Sequence, residues 1–181
     1  FNIVKATSSL TLKVNNSTEP QSIKYRNTIT FTDGNGLTLG VYSDAETKVQ
    51  FKPFTAEDTA YEPFSYANHS ALPVGDYSFR AVRAESANVG PATSNVVKVT
   101  ITPKPITEVD IEIDPQTYTG SAIEPDIKAT IGMITLVKGT DYTLSDYKFN
   151  LNVTSESQLA SVKVTGKDNY DGETTVYFTI N

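Results

Sequence analysis

The chain has no cysteine, no tryptophan, one histidine and one methionine among its 181 residues. Without cysteine there can be no disulfide, thiolate nucleophile, Cys-ligated zinc or iron–sulfur cluster. A single histidine excludes a His-rich metal site and leaves His69 as the sole imidazole base. No apolar run approaches the roughly 20 residues that a membrane helix needs, so a soluble segment without membrane insertion is expected. Positive charge is in deficit: 15 Lys and Arg stand against 21 Asp and Glu, a net charge of −6. Nucleic acids and anionic membranes select Lys/Arg-rich faces, so neither is expected as a partner. The chain opens without an initiator Met or an apolar signal core, which reads as a fragment or a mature segment.

What the chain has in abundance is strand formers. It contains 25 Thr, with many Val, Ile, Tyr and Phe, and such β-branched and aromatic residues suit a pleated, half-buried surface. Periodicity agrees. Val176, Phe178 and Ile180 alternate with Thr175, Tyr177 and Thr179, and Val109, Ile111 and Ile113 alternate with Asp110, Glu112 and Asp114. Val97, Val99 and Ile101 follow the same period of two, as do Leu10, Leu12 and Val14. No window of 11 or more residues keeps a 3.6-residue apolar stripe, so an all-β chain is predicted.

Turn clusters cut it into short strands at sandwich spacing: Asn15-Asn16-Ser17, Asp33-Gly34-Asn35-Gly36, Pro73-Val74-Gly75-Asp76, Lys138-Gly139-Thr140-Asp141 and Asp168-Asn169-Tyr170-Asp171-Gly172 among them. Thr102-Pro103-Lys104-Pro105 differs in kind. Each proline removes a backbone donor and biases its predecessor toward extended geometry, which predicts a stiff connector. A boundary here gives domains 1–103 and 104–181. The first holds nine basic and nine acidic residues, whereas the second holds six Lys and twelve Asp or Glu, so the whole net charge of −6 belongs to it.

The order of signatures then resembles known repeats. In the first domain Val49-Gln50-Phe51 precedes Leu72-Pro73-Val74-Gly75-Asp76-Tyr77, and the domain closes on Ser94-Asn95-Val96-Val97-Lys98-Val99-Thr100. This resembles the bacterial Ig-like repeats of surface proteins, of the domain 3 type. The second domain runs through Tyr118-Thr119-Gly120, Gly139-Thr140-Asp141-Tyr142, Val164-Thr165-Gly166-Lys167-Asp168-Asn169-Tyr170-Asp171-Gly172 and Phe178-Thr179-Ile180. It is similar to another bacterial surface repeat with those signatures in that order. The resemblance implies two tandem antiparallel Ig-like β-sandwiches with Greek-key connections, in an extracellular, cell-surface or secreted protein. It implies a non-catalytic spacer, stalk or adhesion role, with neighbouring domains of the same protein, and host or dietary glycans or proteins, as partners. Leu72-x-x-Gly75-x-Tyr77 further resembles the tyrosine corner of Greek-key sandwiches, where the hydroxyl bonds back to the chain just upstream.

Chemistry-bearing residues are few. His69 stands between Asn68 and Ser70, with Asp58 and Glu62 near in sequence, but no Gly-x-Ser-x-Gly elbow accompanies it, and an exposed loop histidine is the simpler reading. Asp110, Glu112 and Asp114 share a strand face and could hold calcium together with the Asp141 or Asp168 loops, since hard cations want several convergent oxygens. A solvated acidic face that discourages edge pairing is the simpler reading. A Lys–Asn crosslink would need an inward lysine, and the alternation turns Lys98 and Lys163 outward. The aromatic stretch 51–66, with Phe51, Phe54, Tyr61, Phe64 and Tyr66, offers the alternative of a carbohydrate-binding module, in which Tyr61, Phe64 and Tyr66 would present ring faces to a glycan. Core packing is the competing use of those rings. Asn15, Asn16, Asn68 and Asn152 begin Asn-x-Ser/Thr sequons and read as polar loops.

Overall fold

The computed structural model describes residues 4–7, 9–39, 47–53, 61–69 and 71–181. It is all-β: among the described residues there are sixteen strands, one short 3-10 turn at Ile106–Glu108 and no α-helix. Among the described residues no helix is long and apolar enough to cross a membrane. The chain divides into two compact units, Phe1–Thr102 and Pro103–Asn181.

The first unit contains β1 (Lys13–Val14), β2 (Gln21–Lys24), β3 (Phe31–Thr32), β4 (Thr47–Pro53), β5 (Glu62–Pro63), β6 (Gly75–Arg83), β7 (Ala92–Thr93) and β8 (Val97–Thr102). Five of them pair in the order β2-β8-β6-β4-β5, β7 joins the end of β6, and β1 pairs separately with β3. Alternation decides the buried face. Val49 and Phe51 of β4, Phe79 and Ala81 of β6, and Val97, Val99 and Ile101 of β8 are all buried. From the small sheet, Val14 and Phe31 are buried as well, and the Phe31 ring lies 5.3 Å from that of Phe79, so the two sheets share one core. Each such ring contributes about 1.5–3 kcal/mol of burial.

Local turns follow from polar side chains. Asn15 and Asn16 both adopt positive φ, 45° and 67°, and Val14 and Ser17 exchange both backbone hydrogen bonds at 2.9 Å. That is the signature of a two-residue hairpin, which asparagine tolerates. The Asp33 carboxylate accepts from the backbone N–H of Asn35 and of Leu37, each at 2.8 Å, closing the next turn.

The second unit contains β9 (Lys104–Pro105), β10 (Asp110–Glu112), β11 (Lys128–Ile131), β12 (Ile134–Thr135), β13 (Tyr142–Lys148), β14 (Ala160–Gly166), β15 (Tyr170–Asp171) and β16 (Glu173–Phe178). The sheets are β10-β11-β12, β13-β14-β16 and the pair β15-β9. Ala160, Val162 and Val164 alternate inward from β14, and Ala160 joins Phe178 and Ile180 in a core against which Ile113, Ile123 and Tyr147 pack. The Tyr147 hydroxyl donates to the Pro125 carbonyl at 3.0 Å.

One expectation is corrected. The sheets are not purely antiparallel: β2 runs parallel to β8, and β15 parallel to β9. Parallel neighbours need a long crossover, and in both cases several strands intervene in sequence. The Thr102-Pro103-Lys104-Pro105 stretch is extended and lies at the division between the two units. Thr102 ends β8, while Lys104 and Pro105 pair with Tyr170 and Asp171, with the Lys104 N–H donating to the Asn169 carbonyl at 3.0 Å.

Candidate functional site

Phe64, one of the three rings expected to face a glycan, is only 3% exposed. It stands edge-on to Phe31 at 5.1 Å and to Phe51 at 5.7 Å, so its faces belong to the core of the first unit. Tyr61 is half-buried, and Arg80 lies over its ring, with the guanidinium carbon 3.8 Å from the centroid and the Lys52 ammonium at 5.4 Å. Arg80 is itself held by a hydrogen bond from Nε to the Gln50 amide oxygen at 2.9 Å. A ring face on which a sugar would stack is therefore taken by the Arg80 guanidinium. Tyr66 is exposed at its rim, but its hydroxyl donates to the Ile29 carbonyl and its ring packs against Phe64 at 5.5 Å. Phe64 and Tyr66 pack on one another and Tyr61 lies under Arg80, so the three rings do not make an open platform. Phe54 lies outside the described residues.

His69 is not the exposed loop residue expected. It is half-buried, edge-on to Phe51 at 4.5 Å and stacked on Phe64 at 5.3 Å, with Nδ1 3.2 Å from the Ser65 carbonyl oxygen. A histidine enclosed by two core rings and its own turn is built into the packing. Ser70 and Asp58 lie outside the described residues.

The acidic row takes the face the alternation predicts. Asp110 and Glu112 are exposed on β10, an edge strand of its sheet, and Asp114 follows on the same side. They do not converge. Asp114 is bound to the Lys128 ammonium at 2.9 Å, and that carboxylate raises the Lys128 pKa. Asp141 accepts the Val137 N–H at 2.8 Å, inside its own turn. Among the described residues no group of three or more Asp, Glu or His could hold a metal ion. An exposed acidic edge instead disfavours strand addition. Lys98 is exposed, and Lys163 pairs with Glu173 at 2.7 Å, so both lysines point away from the cores.

The tyrosine corner is present in the geometry expected. The Tyr77 hydroxyl donates to the Pro73 carbonyl at 3.0 Å, and Gly75 takes φ 153°, a backbone conformation that residues with a Cβ rarely adopt. Burial raises the Tyr77 pKa above its ordinary value. A raised folded-state pKa means stability that is complete below the unfolded value near about pH 10 and is lost as pH climbs through the folded one. Tyr77→Phe is expected to lower stability by about 1 kcal/mol at neutral pH. Urea titrations should also show a shallower alkaline decline than in the parent chain.

Sequence reasoning passed over two exposed aromatic residues of the second unit, Phe149 and Tyr177, 60% and 62% exposed. The alternation of β16 already placed Tyr177 outward. Nothing in the sequence marked Phe149.

No family model and no curated protein matches the chain. Among solved structures, the crystal structure of Drosophila N-cadherin EC1-4 is similar at 11% identity, covering 94% of this chain and 49% of that one, with a TM-score of 0.25. The chain thus spans about half the length of that structure, and the superposition is too loose to transfer any residue's role.

Proposed function

We propose that the chain is a pair of tandem Ig-like β-sandwiches with Greek-key connections, serving as a non-catalytic spacer or adhesion module of a bacterial cell-surface or secreted protein. The observation that carries this reading is the division into two compact β units, each with its own hydrophobic core. The Tyr77 corner supports the sandwich assignment, because that bond fixes the crossing between sheets in Greek-key folds. The burial of His69 against Phe51 and Phe64 favours a structural over a catalytic role. Zero cysteine is compatible with an extracellular site when each unit has a core large enough to fold by itself. Small-angle scattering is expected to give an elongated, two-lobed particle in solution. A compact globular profile would overturn the spacer reading.

A further inference from the structure

The solvent face of β13, β14 and β16 carries a groove of about 380 Å³, within the range of small-molecule sites. Phe149 and Tyr177 line it and are the large apolar groups it leaves to water. Ser161 forms its floor: it pairs in register with Lys148 on one side and Tyr177 on the other and is only 6% exposed, although it sits on the face away from the core. Thr175, Lys163 and Asp146 line it too, together with Lys148 and Leu159.

Phe149 is held in an unusual state. Its φ is +53°, a left-handed conformation that a bulky aromatic residue rarely adopts. It follows directly on the register shift between Ser145 and Lys148, where Asp146 is also left-handed at φ +51°. Bulges of this kind re-aim side chains, and backbone strain of this kind gathers at ligand clamps. Here the strain delivers an aromatic ring to solvent, where packing gains little from it.

The charges narrow the ligand. The Lys163 ammonium is 2.7 Å from Glu173 and 3.9 Å from Asp146, so the cation and the carboxylates answer one another. The surrounding unit, with twelve acidic residues and six lysines, repels anions. What remains is two ring faces, two hydroxyls and two lysines, Lys148 and Lys163, balanced in charge by Asp146 and Glu173, which matches a pyranose with its apolar C–H face and polar rim. We propose that this groove binds a neutral oligosaccharide, stacked on Phe149 and Tyr177 with its hydroxyls bonded by Thr175, Lys163 and Asp146.

The test is an NMR titration of the whole chain with cellohexaose, mannohexaose, xylohexaose and maltohexaose. At least one is expected to give saturable shifts centred on Ser161, Lys163 and Thr175. Phe149→Gly and Tyr177→Ala are each expected to weaken that binding by about tenfold or more. Glycine adopts φ +53° without strain, so Phe149→Gly should keep a dispersed spectrum and an undiminished melting temperature while losing affinity. Saturation by none of the four sugars would overturn the proposal. So would affinity unchanged in the double variant, preference for an anionic saccharide or a peptide, or self-association through the groove in place of sugar binding.

Discussion

Phe79→Ala is expected to destabilise the unit Phe1–Thr102 by about 3–5 kcal/mol. The ring is fully buried, with the rings of Phe31, Phe51 and Phe64 at 5.3, 6.0 and 5.7 Å. Phe31 comes from the two-stranded sheet and Phe51 from the larger one, so Phe79 sits where the two layers meet. Truncation removes its transfer free energy and leaves a cavity whose walls are themselves aromatic and cannot collapse without moving strands. Backbone pairing of residue 79 with Phe51 and Val97 is untouched by the change, so the loss isolates packing. Against a domain stability of about 5–15 kcal/mol, this places the unit at the edge of unfolding. Hydrogen exchange read by mass spectrometry should show protection falling throughout β4, β6 and β8. Val82→Ala, on the opposite face of β6 and half-buried, should cost less than about 1 kcal/mol. Equal effects of the two substitutions would mean that the core does not lie between the sheets.

Much of this fold was legible because a period of two maps directly onto inside and outside. Val97, Val99 and Ile101 are buried, Lys98 and Thr100 exposed, and β16 follows the same alternation, while in β14 the outward Ser161 is buried as well. The turn chemistry was legible too, since Asp33 and Tyr77 act through bonds to backbone within a few residues of themselves, although Asn15 also reaches the distant Thr30 N–H. Direction and partner were not legible. Which strands lie parallel, and that Lys104 and Pro105 pair with Tyr170 and Asp171, depend on contacts far apart in sequence. The aromatic stretch 51–66 was ambiguous for a related reason. Its rings look alike in sequence whether they line a core or a platform, and it is the pairing of Phe64, whose N–H bonds the Val49 carbonyl at 2.9 Å, that places this ring in the core beside Phe51. The groove of the second unit shows the converse. Ser161, Lys163, Thr175 and Tyr177 all fall on the outward phase of their strands, yet Phe149 enters through a backbone irregularity that alternation does not encode.

Gly166→Ala is the counterpart in the second unit and tests why the signature Val164-Thr165-Gly166-Lys167-Asp168-Asn169-Tyr170-Asp171-Gly172 takes its form. A Cβ on Gly166 would stand 2.8 Å from the Asp171 nitrogen and 2.9 Å from both the Asp171 oxygen and the Tyr170 carbonyl carbon. These are backbone atoms, so no side chain can rotate out of the way. The turn is also pinned on both sides: the Gly166 N–H donates to the Gly172 carbonyl at 2.9 Å, the Lys167 N–H to the Asp141 carbonyl at 2.9 Å, and Tyr170 is buried. Relief would have to separate β14 from β15 and break the bond to Gly172. A cost of about 3 kcal/mol or more is therefore expected, at the upper end of overpacking effects. Gly172→Ala provides the contrast. It has φ +73° and open space around its Cβ position, so alanine there should cost only the left-handed penalty of about 1–2 kcal/mol. If urea titrations rank the two substitutions the other way, the requirement for glycine in this turn is conformational at Gly172 and close approach at Gly166 is not what holds the loop. If they rank as expected, the two glycines serve one turn by different physics, the first by admitting a neighbouring backbone and the second by adopting a conformation that other residues resist.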